Sequence, residues 1–490
     1  MTVLLIANIG NRDMWVDKAA PIPGKVNPQW NKDASRRALG KAIQADWPNC
    51  QPHLKLPIIG KAVRYIQQQA GQLDRVVLVS SDQSGQAGVA DYHLAQDTCE
   101  LAPVVERLLI KQYGLPAKAI THQTVMSNPA DYGGMQAFFR EQLTALRDDY
   151  PGATFYLQVS GGTPAMTSML LTVGVDVLGI DAHPLYVTKR EEQPFPLDLG
   201  RRLVADSLIE TIKANLDIYA YHAAANTVRD NRDLLREFIP ADPLLTVLEY
   251  AKQRVNFNFK DAGEIAVSAV DLAYGDKLHA IAANVQNPTP TMLLRESISS
   301  TQLAYAVGNM FDFVVRVFQF VEGAWRNLAL ELDVQFEHNG KPNPYGKELA
   351  PAWVQKHQSI VERLERDGVR LKKVNRFVLE KLVTVLHEQV EDKRYQGALD
   401  VLEKLEAVGD LRNRVVHQYH HITLELLRNT YYPKKKDQKR HPPEDAIDIV
   451  DAMKTVWSIA AGRPFKETNP YNVINDLIRE ILCSPKLSRP

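Results

Sequence analysis

One short stretch of the chain combines residues suited to acid–base chemistry on a phosphodiester. Arg412, Asn413 and His417 lie close together in the sequence. A histidine with a pKa near neutrality can exchange a proton with a 2′-hydroxyl or with a leaving 5′-oxygen. A permanently charged arginine can neutralise the charge that develops at phosphorus, and Asn413 can orient the phosphate or the imidazole. Such a set could cleave RNA without a metal, leaving 2′,3′-cyclic phosphate and 5′-hydroxyl ends. Alternatively, the arginine and the histidine are ordinary surface residues of a solvent-facing helix.

The apolar spacing predicts a helix over 410–427 that carries these residues. Asn413 and His417 are four residues apart and therefore share a helix face. Arg412 lies about 140° around the helix from His417, so its long side chain must curve to join them. The geometry is easier when two copies of the helix meet, because one cleft then holds two arginines and two histidines.

The same helix offers a competing metal site. His417, His421 and Glu425 follow one another at intervals of four residues and would line up on one helix face. Arg414 and Arg428 would oppose a divalent cation there, and the sequence lacks the H-E-x-x-H arrangement. We therefore expect no metal to be required.

The residues that follow Arg412 are basic. From Arg412 to His441 the chain holds eight Lys or Arg and two Asp or Glu, so the net charge is 8 − 2 = +6. Three tyrosines, at positions 419, 431 and 432, are interleaved. This mixture favours phosphate attraction with base stacking. The run Lys434–Arg440 is alternatively a solvated loop.

A second group of polar residues follows the predicted strands of the N-terminal part. Four loops there are candidates for ligand binding, namely Asn8–Arg12, Ser80–Gln83, Met126–Asn128 and Ser160–Pro164. The residues singled out are Asn8, Gly10, Asn11, Arg12, Ser80, Ser81, Asp82, Ser160, Gly161, Gly162 and Thr163. Gly161, Gly162 and Thr163 lie between a predicted strand and a predicted helix, where free backbone N–H groups bind anions and glycine lets a phosphate approach. Any one loop is equally well a simple turn, but four on one rim favour a ligand.

Two hydrophobic periods alternate over the first 190 residues. Short apolar runs predict strands at 3–9, 75–81, 118–125, 153–159 and 183–188. Amphipathic stretches between them predict helices at 32–45, 58–71, 98–113, 131–149 and 164–178. This alternation is typical of a Rossmann-like α/β fold, a doubly wound parallel sheet whose carboxyl edge would gather the four loops.

Nucleotide fingerprints of the common kinds are absent from this part of the sequence. No G-x-G-x-x-G follows the first strand, and no G-x-x-x-x-G-K-[ST] occurs in the chain. A dinucleotide-dependent oxidoreductase and a P-loop NTPase therefore both lose support.

Strand patterns almost vanish in the rest of the chain, which reads as all-α. Helices are predicted at 292–333, 352–367, 372–391, 396–405, 410–427 and 443–460, with loops at 336–345 and 431–443. A Pro-containing linker at 189–200 and the Pro288 and Pro290 break give three predicted domains. These are an N-terminal α/β domain (1–195), a helical connector (196–290) and a C-terminal helical domain (291–490).

Composition excludes several classes of protein. The 58 Lys and Arg balance 58 Asp and Glu, which argues against a protein coated with nucleic-acid-binding charge but not against a local basic cleft. Three dispersed cysteines give no disulfide framework. The apolar stretches 169–180 and 311–332 contain charged residues and are not expected to span a membrane. With no signal-peptide pattern at the N-terminus, we expect a cytoplasmic protein.

Two of these features together resemble a known family. Arg412-Asn413-x-x-x-His417 is similar to the R-x(4–6)-H motif of HEPN ribonucleases, and the N-terminal half, with its Ser-Gly-Gly-Thr loop at 160–163, resembles a CARF domain. The order of the two resembles the CARF–HEPN ancillary ribonucleases of type III CRISPR systems. The resemblance implies a homodimer with a composite active site, a cyclic oligoadenylate as activator, and single-stranded RNA as substrate.

Two further hypotheses remain beside the ligand-activated ribonuclease. The N-terminal crevice would also degrade its activator, although Ser81, Asp82 and Thr163 come with no evident general base. Alternatively, the protein is a non-catalytic nucleotide sensor or regulator that holds RNA or a partner protein through its helical half.

Overall fold

The computed structural model describes residues 2–31, 33–188, 190–283, 285–390, 393–418, 421–438, 447–466 and 468–484. The chain divides into two compact units, Met1–Ser207 and Leu208–Pro490. The segment 196–290, predicted as a connector, falls mainly within the second unit.

The first unit is built on a six-stranded sheet in the order β5-β4-β1-β6-β7-β8. Its strands are β1 (Val3–Asn8), β4 (Arg75–Ser81), β5 (Ile120–Val125), β6 (Thr154–Gln158), β7 (Ala182–Tyr186) and β8 (Phe195–Pro196), and a separate pair is formed by β2 (Trp15–Val16) and β3 (Leu54–Lys55). The pairs from β5 to β7 are parallel, whereas β8 pairs antiparallel with β7. The strand order changes direction at β1, so the doubly wound arrangement is confirmed.

Helices cover both faces of this sheet. They are α1 (Arg36–Ala45), α2 (Trp47–Cys50), α3 (Ile59–Ala70), α4 (Asp91–Gln96), α5 (Ala102–Tyr113), α6 (Tyr132–Asp149) and α7 (Pro164–Leu178). One apolar core forms between the sheet and α1, α3 and α5, and a second forms between the sheet and α6 and α7. Alternate β1 residues supply the two cores, Leu5 to the first and Leu4 to the second. Burial on both faces explains why the inner strands β1 and β4 read as continuous apolar runs.

One segment of this unit differs from the expectation about membrane spans. Pro164–Asp181 is long and apolar enough, by length and composition alone, to cross a membrane. In the structure most of it is α7, which buries side chains such as Leu170 and Val173 against the sheet. Its apolar character therefore has a role in the core of the α/β unit.

The second unit consists mainly of helices. The helices that follow α7 are α8 (Leu199–Asp217), α9 (Tyr221–Asp230), α10 (Arg232–Phe238), α11 (Ala241–Val255), α12 (Phe259–Ser268), α13 (Gly275–Ile281), α14 (Pro290–Ala306), α15 (Met310–Glu331), α16 (Pro351–Lys356), α17 (Gln358–Arg366), α18 (Arg376–His387), α19 (Lys393–Gln418), α20 (Leu424–Tyr431), α21 (Lys435–Gln438), α22 (Ile447–Ala460) and α23 (Pro470–Cys483). A small antiparallel sheet has the order β10-β9-β11, formed by β9 (Phe336–His338), β10 (Lys341–Pro342) and β11 (Glu348–Leu349). The loop predicted at 336–345 is therefore partly a hairpin.

Two predicted helix boundaries in this unit are wrong. The helices predicted at 396–405 and 410–427 are one helix, α19, followed by the separate α20. Gly409 lies inside α19 and does not end it. Its missing side chain allows close packing on α15, since a Cβ at this position would lie 3.1 Å from the Phe318 Cα. The pattern at 292–333 is in turn two helices, which separate at Gly308, where φ is +74°.

A buried ionic cluster joins residues on both sides of position 290, the predicted boundary between the connector and the C-terminal domain. The Arg254 Nε donates to Glu296 Oε2 at 3.1 Å, and Arg254 Nη1 donates to the Tyr250 hydroxyl at 2.7 Å. The Tyr471 hydroxyl of α23 donates to Glu296 Oε2 at 3.4 Å. Because Arg254 and Glu296 are almost fully buried, removing either partner would leave an uncompensated charge. The cluster links α11, α14 and α23 within the second unit.

Candidate functional site

The carboxyl ends of β1, β4 and β6 border a cavity of about 770 Å³. Eight of the residues singled out in the sequence line it, namely Gly10, Asn11, Arg12, Ser81, Ser160, Gly161, Gly162 and Thr163. The third predicted loop contributes Asn128 with the adjacent Pro129 and Ala130. All four loops therefore meet at one cavity, in the place that a doubly wound sheet offers a ligand.

Glycines bring the first and fourth loops into direct contact. A Cβ on Gly10 would lie 2.3 Å from the Gly162 backbone nitrogen, and one on Gly161 would lie 2.4 Å from the Asn8 carbonyl oxygen. Gly162 also has φ +87°, a conformation that favours glycine. From the sequence, Gly161 and Gly162 were expected to let a phosphate approach, and Gly10 was a candidate for ligand binding. The structure shows that they first allow the two loops to pack, and that the packed loops form a wall of the cavity.

Hydroxyl groups fix the remaining loops. Thr163 caps α7 by accepting from the Met166 N–H at 3.2 Å, and its hydroxyl donates to the Pro129 carbonyl. Ser160 Oγ accepts from the Val187 N–H at 2.6 Å, and Ser81 Oγ accepts from the Thr98 N–H at 3.3 Å. These side chains hold the cavity wall in place.

A partly buried charge network lies behind the second loop. Arg37 Nη2 donates to Asp82 Oδ1 at 2.6 Å and to Asp97 Oδ2 at 2.9 Å. Asp97 Oδ1 also accepts from the Gln83 side-chain amide at 3.1 Å. Hydrogen bonds from Ser84 and then Arg37 lower the pKa of Asp82 to about 2. The guanidinium therefore compensates both carboxylates beside a cavity where uncompensated negative charge would repel an anion.

Three of the singled-out residues do not line the cavity. Asp82 is turned to Arg37, and the Ser80 hydroxyl pairs with Thr124 Oγ1 at 3.3 Å. Asn8 is fully buried beneath Gly162, and its side-chain amide has no hydrogen-bond partner among the described residues. The strand pattern could not assign these orientations, because β4 and β1 are buried on both faces.

One wall of the cavity was not predicted from the sequence. The segment between β4 and α5 contains α4 and supplies Gln86, His93 and Gln96 to the lining, next to Gln83 of the predicted second loop. Asn11 Nδ2 donates to Gln96 Oε1 at 3.3 Å and so joins the first loop to α4. The available signal was length, because a connection from Ser81 to Ala102 is much longer than the usual strand-to-helix loop.

Arg12 and His93 are exposed basic side chains on the cavity lining. The opposing acidic residues of the lining, Asp13 and Asp97, are buried. Asp13 Oδ2 accepts from the Gly10 N–H at 2.6 Å, so its carboxylate is engaged in holding the first loop. The solvent-facing part of the cavity is therefore polar with a cationic edge, a combination suited to a phosphate-bearing ligand.

The second candidate site lies on α19, which carries Arg412, Asn413 and His417 in its last two turns. The Arg412 guanidinium carbon lies 4.2 Å from the centre of the Phe318 ring on α15. The side chains of Asn413 and His417 lie outside the described part of the chain. Arg376 also contacts the Phe318 ring, at 5.6 Å, and pairs with Glu406 and Asp410 of α19 at 2.9 and 3.2 Å.

The helix boundaries change the competing metal hypothesis. Glu425 lies on α20 rather than on the helix of His417, so the predicted spacing on one helix face is wrong. Glu425 is instead 3.8 Å from Arg428. Among the described residues, no group of three or more His, Cys, Asp or Glu is placed to hold a metal; the His417 side chain is not among them.

The basic stretch after Arg412 is described only in part. Tyr419, Lys439, Arg440 and His441 lie outside the described residues, as do the side chains of Lys435 and Lys436. Tyr431 packs in the core, where burial raises its pKa to about 12. The Tyr432 hydroxyl donates to Asp448 at 2.7 Å. The prediction of base stacking is therefore wrong for Tyr431, and for the half-buried Tyr432 it stays a prediction.

Comparison with known proteins supports the predicted family. Residues 118–188 match the family model described as the Cas_Csm6 CARF domain. The structure is similar to that of Csm6 from Enterococcus italicus bound to cyclic hexa-2′-fluoro-hexa-dAMP, with a TM-score of 0.61 and 13 % sequence identity over 98 % of this chain and 99 % of that chain. No curated protein sequence matches the chain.

The match and the fold agree with the features that carried the resemblance. The matched segment 118–188 includes β5, α6, β6, α7 and β7, and it contains the Ser-Gly-Gly-Thr loop of the cavity. Residues 118–188 are therefore similar to the CARF domain of Csm6, and the fold of the whole chain is similar to that of the solved Csm6.

Proposed function

We propose that this protein is an endoribonuclease of type III CRISPR antiviral defence, activated by a cyclic oligoadenylate and acting on single-stranded RNA in the cytoplasm without a metal. The observation that carries the proposal is the pairing of a Csm6-type CARF domain, with an open polar cavity, and a helical unit that carries Arg412-Asn413-x-x-x-His417 on one helix. The first part recognises the activator and the second performs the cleavage.

The activator would bind at the cavity of the CARF domain. A similar protein was solved with a cyclic hexa-adenylate analogue, so a cyclic hexa-adenylate is the first candidate to test here. Arg12 would contact phosphate, and the polar walls would contact base edges and riboses. In a homodimer, one ring would bind across the two cavities of the pair.

The reaction follows from the residue types. One His417 imidazole accepts the 2′-hydroxyl proton, and the 2′-oxygen attacks the adjacent phosphorus. The bond to the 5′-oxygen breaks as that oxygen takes a proton from water in the cleft, and the imidazolium returns its proton to the hydroxide that this leaves. Arg412 stabilises the charge that develops on the phosphate oxygens, and Asn413 orients the phosphate or the imidazole. The products carry a 2′,3′-cyclic phosphate and a 5′-hydroxyl.

The hypothesis that the CARF domain also degrades its activator receives little support from the residues first considered. Ser81 and Thr163 are committed to hydrogen bonds that hold the cavity wall. Asp82 is paired with Arg37, and its low pKa makes it a weak base. We therefore assign the domain a sensing function.

The test is cleavage of a fluorescent single-stranded RNA in the presence of EDTA, with a panel of cyclic oligoadenylates. We expect one ring size to stimulate cleavage, and His417→Ala to lower the rate by about 10²–10⁴-fold. Activator binding by His417→Ala, measured by calorimetry, should equal that of the wild type.

Undiminished cleavage by His417→Ala would contradict the catalytic assignment. RNA binding without any cleavage would favour the non-catalytic sensor, and loss of cleavage in EDTA would favour a metal-dependent reaction.

A further inference from the structure

A second cavity, of about 780 Å³, lies within the helical unit. It is bordered by α14, α15, the start of α18 and the turn between β10 and β11. Its volume is in the range of cavities that enclose small ligands. The proposed activator binds at the first cavity, and Arg412, Asn413 and His417 are not among the described residues that line this one. The proposed function therefore assigns no role to the second cavity.

Its lining has more basic than acidic side chains, although Arg376 is paired with Glu406 and Asp410 of α19. Arg326, Lys347 and Arg376 line it together with a single carboxylate, Glu322. Arg326 Nη1 donates to the carbonyls of Pro344 and Gly346 at 3.2 and 2.9 Å. Among the described residues, no carboxylate lies within ion-pair distance of Arg326 or Lys347.

Burial lowers the pKa of Arg326, but a guanidinium remains charged at neutral pH. Only Nη1 of this guanidinium has hydrogen-bond partners among the described residues, so its other N–H groups are available to an anion. A half-buried arginine and an exposed lysine in one cavity are the donors that phosphate groups prefer.

Aromatic side chains accompany the charges. The Tyr345 side chain is 46 % exposed although it lines the cavity. Phe257 lies on another wall, and its backbone has φ +59°, which is unusual for a bulky residue. Exposed amides from Asn256 and Gln319 also line the cavity. Ring faces for stacking, amides for base edges and cations for phosphate are the components of a single-stranded nucleic-acid site.

The cavity adjoins the helix assigned to catalysis. Arg376 lines the cavity and pairs with Glu406 and Asp410 of α19. Arg376 and Arg412 both contact the ring of Phe318, at 5.6 and 4.2 Å. An RNA strand at Arg412 is therefore within reach of the cavity through adjacent nucleotides.

We propose that this cavity is a subsite for the RNA substrate, where a nucleotide near the cleaved bond places its base against Tyr345 and its phosphate on Lys347 and Arg326. The inference rests on the proposed function, because it assumes that RNA is the substrate of α19. The subsite would determine affinity for RNA and would leave the chemical step to Arg412 and His417.

The test measures RNA binding separately from cleavage. Full-length protein carrying His417→Ala is titrated against a fluorescent single-stranded RNA, and the dissociation constant is obtained from anisotropy at several salt concentrations. Adding Tyr345→Ala should weaken binding about tenfold, as expected for one lost base stack. Tyr345→Phe keeps the ring and should restore most of the affinity.

Lys347→Ala should weaken binding and reduce the salt dependence by about one ion. Lys341→Ala is the matched control, since Lys341 is an exposed lysine on β10 that does not line the cavity. The Tyr345 main-chain N–H keeps its bond to Asn343 Oδ1 in the alanine variant. Thermal melts check that each variant is folded. If Tyr345→Ala is not folded, the RNA affinity of Lys347→Ala alone tests the subsite.

Affinities of Tyr345→Ala and Lys347→Ala equal to that of Lys341→Ala would overturn the subsite while leaving the proposed ribonuclease intact. In the protein with a native His417, the same variants should raise KM for RNA and leave kcat within about twofold. Failure of the proposed function gives a different result, because the wild type would then not cleave RNA with any activator.

Discussion

The two candidate sites of this protein differ in how complete each is within one chain. In the N-terminal unit, four loops of one chain meet at a cavity, and hydrogen bonds of Thr163, Ser160 and Ser81 fix their positions. On α19, positions 412 and 417 lie about 140° apart around the helix. Under the proposed function, each chain therefore has a preformed cavity for part of the activator, whereas the cleavage site would be assembled only when two copies of α19 meet.

Mixing two inactive variants tests this difference with the largest expected effect. Arg412→Ala and His417→Ala should each reduce activator-dependent RNA cleavage by at least about 10²-fold. After the two proteins are mixed and allowed to exchange subunits, we expect cleavage to rise well above that of either variant. A mixed dimer then holds one arginine and one histidine on different chains.

The control for this experiment is the double variant Arg412→Ala, His417→Ala mixed with each single variant, which should give no recovery. If the original mixture also gives no recovery although native mass spectrometry shows mixed dimers, the site requires both residues from the same chain or more than one copy of each.

A smaller effect is expected at the sensing site. Arg12→Ala removes an exposed cation from the cavity lining, and the loss of one charge-assisted hydrogen bond should weaken activator binding about tenfold. Activation curves should shift to higher activator concentration and reach the same plateau. Arg64→Ala, an exposed arginine on α3 outside the cavity lining, should leave the curve unchanged. A lower plateau without a shift would place Arg12 in the cleavage step.

The smallest effect concerns the stability of the cavity wall. The pKa of Asp82 is about 2 in the folded protein, below the value of about 3.9 expected in an unfolded chain. Its contribution to the free energy of unfolding is therefore present above about pH 4 and is lost as the pH falls through about 2. Since a quarter of the side chain is exposed, we expect the contribution to be about 1–2 kcal/mol.

Asp82→Asn should accordingly lower the free energy of unfolding at neutral pH by about 1–2 kcal/mol, and this difference from the wild type should shrink between pH 4 and pH 2. Urea unfolding at a series of pH values measures both. Asp176→Asn, which changes an exposed pair with Arg140, should alter the free energy by less than about 0.5 kcal/mol. Equal effects of the two substitutions would show that the Arg37 network does not stabilise the wall.

The sequence predicted the CARF domain well for a physical reason. Its strands are buried on both faces and its helices on one, so apolar runs and amphipathic stretches alternate without ambiguity. The strand that ends at Ser81 and the helix that begins at Pro164 coincide with the predicted limits. The helical unit was harder, because Gly409 resembles a helix end in sequence but serves the packing of α19 on Phe318.

The candidate sites also contain some residues that the sequence could predict and others that it could not. Loops at strand ends are recognisable from glycine and serine, which is why Gly10 and Gly161 could be assigned to the cavity from sequence. The α4 wall with His93 could not, since it depends on how a long connection folds over the sheet. The burial of Tyr431 was also unpredictable, because an aromatic residue beside lysines fits a stacking surface and a core equally well until the packing of α20 and α22 is known.

The central claim is that binding of the activator at the N-terminal cavity leads to metal-independent cleavage of RNA at α19. It is tested most directly by the ends of the RNA fragments that the wild-type protein makes with a cyclic oligoadenylate in EDTA. We predict that fragments form only with the activator and carry 2′,3′-cyclic phosphate and 5′-hydroxyl ends. Fragments with 5′-phosphate ends, or cleavage that is independent of the activator, would contradict the account.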